Sequence, residues 1–121
     1  MRGHAHVYKD PRDRALERTI ASAYTDAGGT KADRGEPVRV WVSTFKALPR
    51  SAPASVESAP DVTKPDLDNV IKLVLDALNG VAWDDDAQVT FILGSKAERE
   101  REDGRPWTTV TVEHGGGNDV G

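Results

Sequence analysis

The 121-residue sequence predicts an α+β domain: two layers, a small mixed sheet with two helices packed on one face, in the order (β)αβαββ. Three observations carry that expectation. Two segments place apolar residues at helical spacing, so each has one stripe to bury. Other segments have the strand-like character of alternation or a short apolar run. Neither helical stripe can be covered without a sheet against it.

The elements follow in order. Residues 1–9 predict a short strand ending before Asp10-Pro11. Asp10 suits an N-cap and Pro11 a first helical turn. The helix runs to about Ala27, with Leu16, Ile20, Ala23, Tyr24 and Ala27 on one face, and Gly28-Gly29 stops it. Arg12, Arg14 and Arg18 lie on its other side, where solvent is the expected neighbour. After a polar linker, Val38, Val40 and Val42 alternate with Arg39 and Trp41, and Phe45 falls on the Trp41 side. Bulk on both faces predicts an inner strand or one covered by a partner. The run 47–63, rich in Pro, Ser and Ala and without periodicity, predicts a mobile loop.

The stretch from Lys64 to Gln88 is the most informative. Pro65 suits a helix start and Asp66 an N-cap that accepts from free backbone N–H groups. Leu67, Val70, Ile71, Val74 and Leu78 form the buried stripe, and Asn79-Gly80 the stop. Asp68, Lys72 and Asp76 form a ridge beside that stripe, which alone fits a solvated face. Asp84, Asp85 and Asp86 then precede an apolar strand that extends to about Lys96. Three successive carboxylates repel one another unless they share something cationic, and oxygen-only donors suit a hard divalent ion. A charged hairpin connection with an Asp103-Gly104 turn should lead back into a strand over 107–113. The residues from His114 on, with Gly115–Gly117, predict a disordered tail, so the single domain covers 1–114 and the tail 115–121.

Lys64-Pro-Asp-Leu-Asp-Asn69, Lys72, Asp76-Ala-Leu-Asn-Gly80 and Trp83-Asp-Asp-Asp-Ala-Gln88 resemble the signature of the RusA family of Holliday junction resolvases. These are small metal-dependent endonucleases, frequently carried by phages and prophages. The match is dense over residues 64–96 and loose outside them. It implies that Asp66, Asp68 and Asp86 bind metal, with Asp85 a weaker candidate, and that Lys72 is needed for cleavage. It also implies a homodimer. Chains of this family usually begin with a further strand and a Pro/Arg-rich loop, so this chain is expected to start inside that region.

Composition sets limits on the reading. Net charge is −4, with no cysteine for disulfides or thiolate metal sites. Residues 1–50 carry ten Lys/Arg and six Asp/Glu, a net of +4; residues 51–121 carry six and fourteen, a net of −8. A bound cation would offset part of that acidity and let it approach a phosphate backbone. No apolar run is long enough to span a membrane, and the polar N-terminus has no signal-peptide core. A cytoplasmic location is therefore expected.

Together these readings predict an endonuclease dependent on Mg²⁺ (or Mn²⁺) that cuts four-way DNA junctions by paired symmetric nicks. Lys46, Arg50 and Lys64 along the loop, and Lys96 at a strand end, are the candidate DNA contacts. No Cys or Ser/His arrangement suits covalent attack. Two other classes fit the same residues: a junction-binding protein that does not cut, and an acidic interaction module.

Overall fold

The computed structural model describes residues 2–7, 14–101 and 106–115. The main elements are β1 (Arg2–Val7), α1 (Arg14–Asp26), β2 (Val38–Phe45), β3 (Ser58–Ala59), α2 (Leu67–Leu78), β4 (Val89–Lys96), β5 (Arg99–Glu100) and β6 (Trp107–His114). The larger sheet has the order β1-β6-β2-β4, and β3 and β5 form a separate pair. Strand β2 is antiparallel to β6 and parallel to β4, so the sheet is mixed. The expected α+β class holds, and the expected leading strand forms at one edge, antiparallel to β6.

Alternation along β2 and β6 decides which face is the core. Val38, Val40 and Val42 are buried and lie across from His114, Val112 and Val110. Against them pack Leu16, Ile20 and Tyr24 of α1 and Val70, Val74 and Leu78 of α2. Burying side chains of this size contributes about 1.5–3 kcal/mol each. Both helices therefore share one face of the sheet. Gly94 of β4 lets α2 come close: a Cβ there would sit 2.8 Å from Ile71 Cδ1. The opposite face carries Trp41 against Phe91, 5.4 Å between ring centroids. Arg39 lies over both rings, at 5.3 and 5.1 Å.

Four expectations need correction. The strand at 107–114 does not return beside β4; β2 lies between them. A parallel β2–β4 pair already uses one edge of β2, and the antiparallel β6 takes the other. The segment after β4 instead pairs with the 47–63 run, through Ser58–Glu100 and Ala59–Arg99. Arg99 donates to the Ala47 carbonyl at 2.9 Å, and Arg101 to those of Pro53 and Val56 at 2.6 and 2.7 Å. His114 is the last residue of β6 and is buried, its Nε2 3.1 Å from the Thr30 carbonyl oxygen. Finally, Asp66 occupies the N-cap of α2 as expected, directly after Pro65, but the expected side-chain cap bond does not form. Its carboxylate takes the Lys64 ammonium instead, at 3.0 Å. The expected Asp10 cap, Pro11, the Asp103-Gly104 turn and the tail beyond Gly115 lie outside the described residues. Among the described residues, no helix is long and apolar enough to cross a membrane.

Candidate functional site

Helix α2 organises the candidate residues. Asp66 sits at its N-cap and Asp68 in its first turn, both exposed. Lys72, also exposed, follows Asp68 by one turn. Asn79 ends the helix, with its N–H on the Leu75 carbonyl at 3.0 Å, and Gly80 takes the positive φ of 84° that the turn requires. The chain then reaches Asp84, Asp85 and Asp86 and only afterwards enters β4. The carboxyl end of β4 comes back to the start of α2, where the Lys96 ammonium donates to the Thr63 carbonyl.

The acidic turn is held by donors specific to each carboxylate. Asp84 is 2.6 Å from the Lys31 ammonium and 3.8 Å from Arg34. The Lys31 hydrogen bond is the main reason its carboxyl titrates below the usual range; the Lys31 and Arg34 charges act in the same direction, against a smaller effect of burial. Asp85 caps the 3-10 turn Asp86–Gln88, accepting from Ala87 N–H at 2.9 Å. Asp86 accepts from the indole N–H of Trp83 at 2.8 Å. Trp83 itself is fully buried, so this donor is fixed by the core. The repulsion expected within the triplet is thus relieved by a lysine, a backbone amide and an indole.

Gln88 ties the turn to the rest of the domain. Its carbonyl oxygen accepts from the N–H groups of Asp84 and Asp85 at 2.9 and 3.1 Å. Its amide nitrogen donates to the carbonyls of Asp33 and Glu36 at 2.9 and 3.0 Å. Sequence reasoning assigned no role to Trp83 or Gln88. The Asp85-x-x-Gln88 spacing of a capping box was the available signal for Gln88; nothing local signalled the indole bond.

The structure brings some candidates together and keeps others apart. Lys46, Lys64 and Lys96 converge on the segment before α2. Lys46 donates to the Thr63 hydroxyl at 3.0 Å and to the Lys64 carbonyl. Arg50 is exposed further along the loop. Asp66 and Asp68 lie at one end of α2, and Asp85 and Asp86 beyond the other. A twelve-residue helix is roughly 18 Å long. Among the described residues, no three His, Cys, Asp or Glu side chains gather where they could hold a metal ion.

The family model for the endodeoxyribonuclease RusA matches residues 1–113. No curated protein matches the chain closely. Among solved structures, an FtsZ mutant from M. jannaschii superposes with a TM-score of 0.49 at 11% identity, over 95% of this chain and 27% of that one. This chain thus spans a minor part of that protein's length, and so weak a likeness carries no argument. The family match runs through both helices, the whole β2–α2–β4 unit and the acidic turn, and the chain belongs to the RusA endodeoxyribonuclease family.

Proposed function

We propose that this chain resolves four-way DNA junctions as a homodimer, by paired symmetric nicks that depend on Mg²⁺ or Mn²⁺. Family membership supports the junction endonuclease, and the donor chemistry supports the ion: Asp66, Asp68 and Asp86 offer only hard oxygens. A divalent ion held there supplies an activated water and charge stabilisation at the scissile phosphate. Lys72 sets a cation one turn from Asp68, where it can meet developing negative charge. Arg50 and Lys64, both exposed, are proposed contacts to the phosphate backbone.

The observation that carries the homodimer is the length of α2. One protomer holds Asp66 and Asp68 at one end of the helix and Asp86 past the other. Strand β4 lies at the sheet edge. It is eight residues long, free of proline, with Phe91 and Leu93 38% and 54% exposed. A long apolar edge of this kind invites pairing. Antiparallel pairing of β4 with its own copy across a two-fold axis sets the start of each strand beside the end of the other. Asp86 then approaches the partner's Asp66 and the partner's Asp68, and the same axis makes two such sites, one for each nick.

Incubating the protein with a synthetic four-way junction, with and without Mg²⁺, tests this reading. Two symmetric nicks that require the ion are expected. Binding without cutting would leave a junction-binding protein, and absence of stoichiometric metal binding would leave an acidic interaction module.

A further inference from the structure

Asp61 is the most enclosed carboxylate among the described ion pairs, its side chain only 1% exposed. Its Oδ1 accepts from the Thr63 backbone N–H at 3.1 Å and from the Thr63 hydroxyl at 2.6 Å. The Lys96 ammonium lies 3.8 Å from the same oxygen. Oδ2 is buried with no hydrogen-bond partner among the described residues. Lys46 and Lys96 come from the carboxyl ends of the parallel strands β2 and β4. Both ammonium groups are spent on one short segment: Lys46 on the Thr63 hydroxyl and Lys64 carbonyl, Lys96 on the Thr63 carbonyl. Asp66 follows two residues after that segment, across the buried Pro65.

Buried charge clusters add little net stability, because desolvation offsets most of the Coulombic gain, and in some proteins they serve to select one conformation. We infer that Asp61, Lys46 and Lys96 form a latch that positions the start of α2, and with it Asp66 and Asp68, for the proposed cleavage reaction. On this assignment Lys46 and Lys96 act through the segment 61–64 rather than on DNA. The inference rests on the junction-cleaving function proposed above.

Asp61→Asn, Lys96→Met and the double variant test the latch. Each single variant should slow single-turnover junction cleavage by about 10- to 100-fold, the cost of a small misplacement of reacting groups, with junction affinity unchanged. The double variant should be no slower than the slower single one, because both break the same latch. Hydrogen exchange gives a readout independent of cleavage: the Thr63 amide, and those of Asn69 and Val70 that close the first turn onto Asp66, should exchange faster by about ten-fold or more. If Lys96→Met does not fold, Lys46→Met takes its place. Weaker junction binding with a shallower salt dependence in the lysine variants, and normal cleavage by Asp61→Asn, would make the lysines DNA contacts and overturn the latch. If the wild-type protein does not cut, the function reading fails, and the exchange rates alone decide: faster supports the latch, unchanged overturns it.

Discussion

The two ends of α2 hold their carboxylates by different means. At the amino end, Asp66 and Asp68 are exposed, and among the described residues the Asp66 carboxylate is met by Lys64, itself 74% exposed. Beyond the carboxyl end, Asp86 is half-buried and fixed by the indole of a tryptophan with no exposure. Gln88 and the Asp85 cap lock the turn around it. The carboxylates at the amino end are thus open to solvent, and Asp86 is tied to the core. In the shared site proposed above, the core-anchored Asp86 of one protomer would meet the exposed Asp66 and Asp68 of the other.

The sharpest way to break this contrast is to remove a carboxylate from either half. Asp66→Asn, Asp68→Asn and Asp86→Asn should each lower cleavage by about 10²–10³-fold or more while junction binding persists. Asp84→Asn should cut normally, since that carboxylate is taken up by Lys31. Equal losses at Asp84 and Asp86, measured on one junction, would erase the distinction drawn within the triplet.

Lys72 lies between the halves. Lys72→Ala should slow single-turnover cleavage by about 10²–10³-fold if it stabilises charge, and shift stability by less than about 1 kcal/mol because it is exposed. An unchanged rate would return it to the solvated ridge.

The core-anchored half responds to smaller changes. Trp83→Phe keeps an aromatic side chain but deletes the donor to Asp86 together with part of a fully buried indole, so a packing loss adds to the lost bond. Orienting partners of ligands typically matter by about 10- to 100-fold in activity or metal affinity, and the lost hydrogen bond should cost about 1–3 kcal/mol. Denaturant unfolding and metal titration read the two separately. A stability loss without any change in metal response would make Trp83 a core residue alone.

The smallest effect concerns acid. Burial pushes the Asp61 carboxyl up, but the Thr63 hydroxyl and amide and the Lys96 and Lys46 charges outweigh it, so its pKa is lowered. A folded-state value below the unfolded one, about 3.9, adds stability that is full above that pH and lost as pH falls through the folded value. The urea midpoint should therefore drop from pH 6 to pH 3, and Asp61→Asn should reduce the drop. An equal drop in that variant would place the acid sensitivity elsewhere.

Much of the fold was legible in the sequence. The stripes of α1 and α2, the glycine stops and the alternation in β2 are local patterns, and they placed both helices and the inner strand. Strand order was not legible: nothing local tells β6 to pair with β2 and β1 rather than with β4. Asp66 takes the cap position that the sequence indicated, but its side-chain bond to the backbone does not form, and Lys64, two residues away, is its charged partner. The site residues came from spacing and family resemblance. Their distribution along α2 could be inferred from helix length, but the Trp83, Gln88 and Asp61 contacts depend on chain segments brought together only by folding.

The central claim is that each cleavage site is shared between two protomers, and mixing inactive chains tests it directly. Asp66→Asn and Asp86→Asn protomers, unfolded and refolded together, form mixed dimers. If sites are shared, one site in each mixed dimer has both mutations and the other has neither. Mixing should then restore single nicks on a four-way junction, without paired nicks, where neither parent cuts. If each site lies within one chain, every site in the mixed dimer carries one mutation. A mixture as inactive as its parents, with mixed dimers shown to be present, would contradict the account.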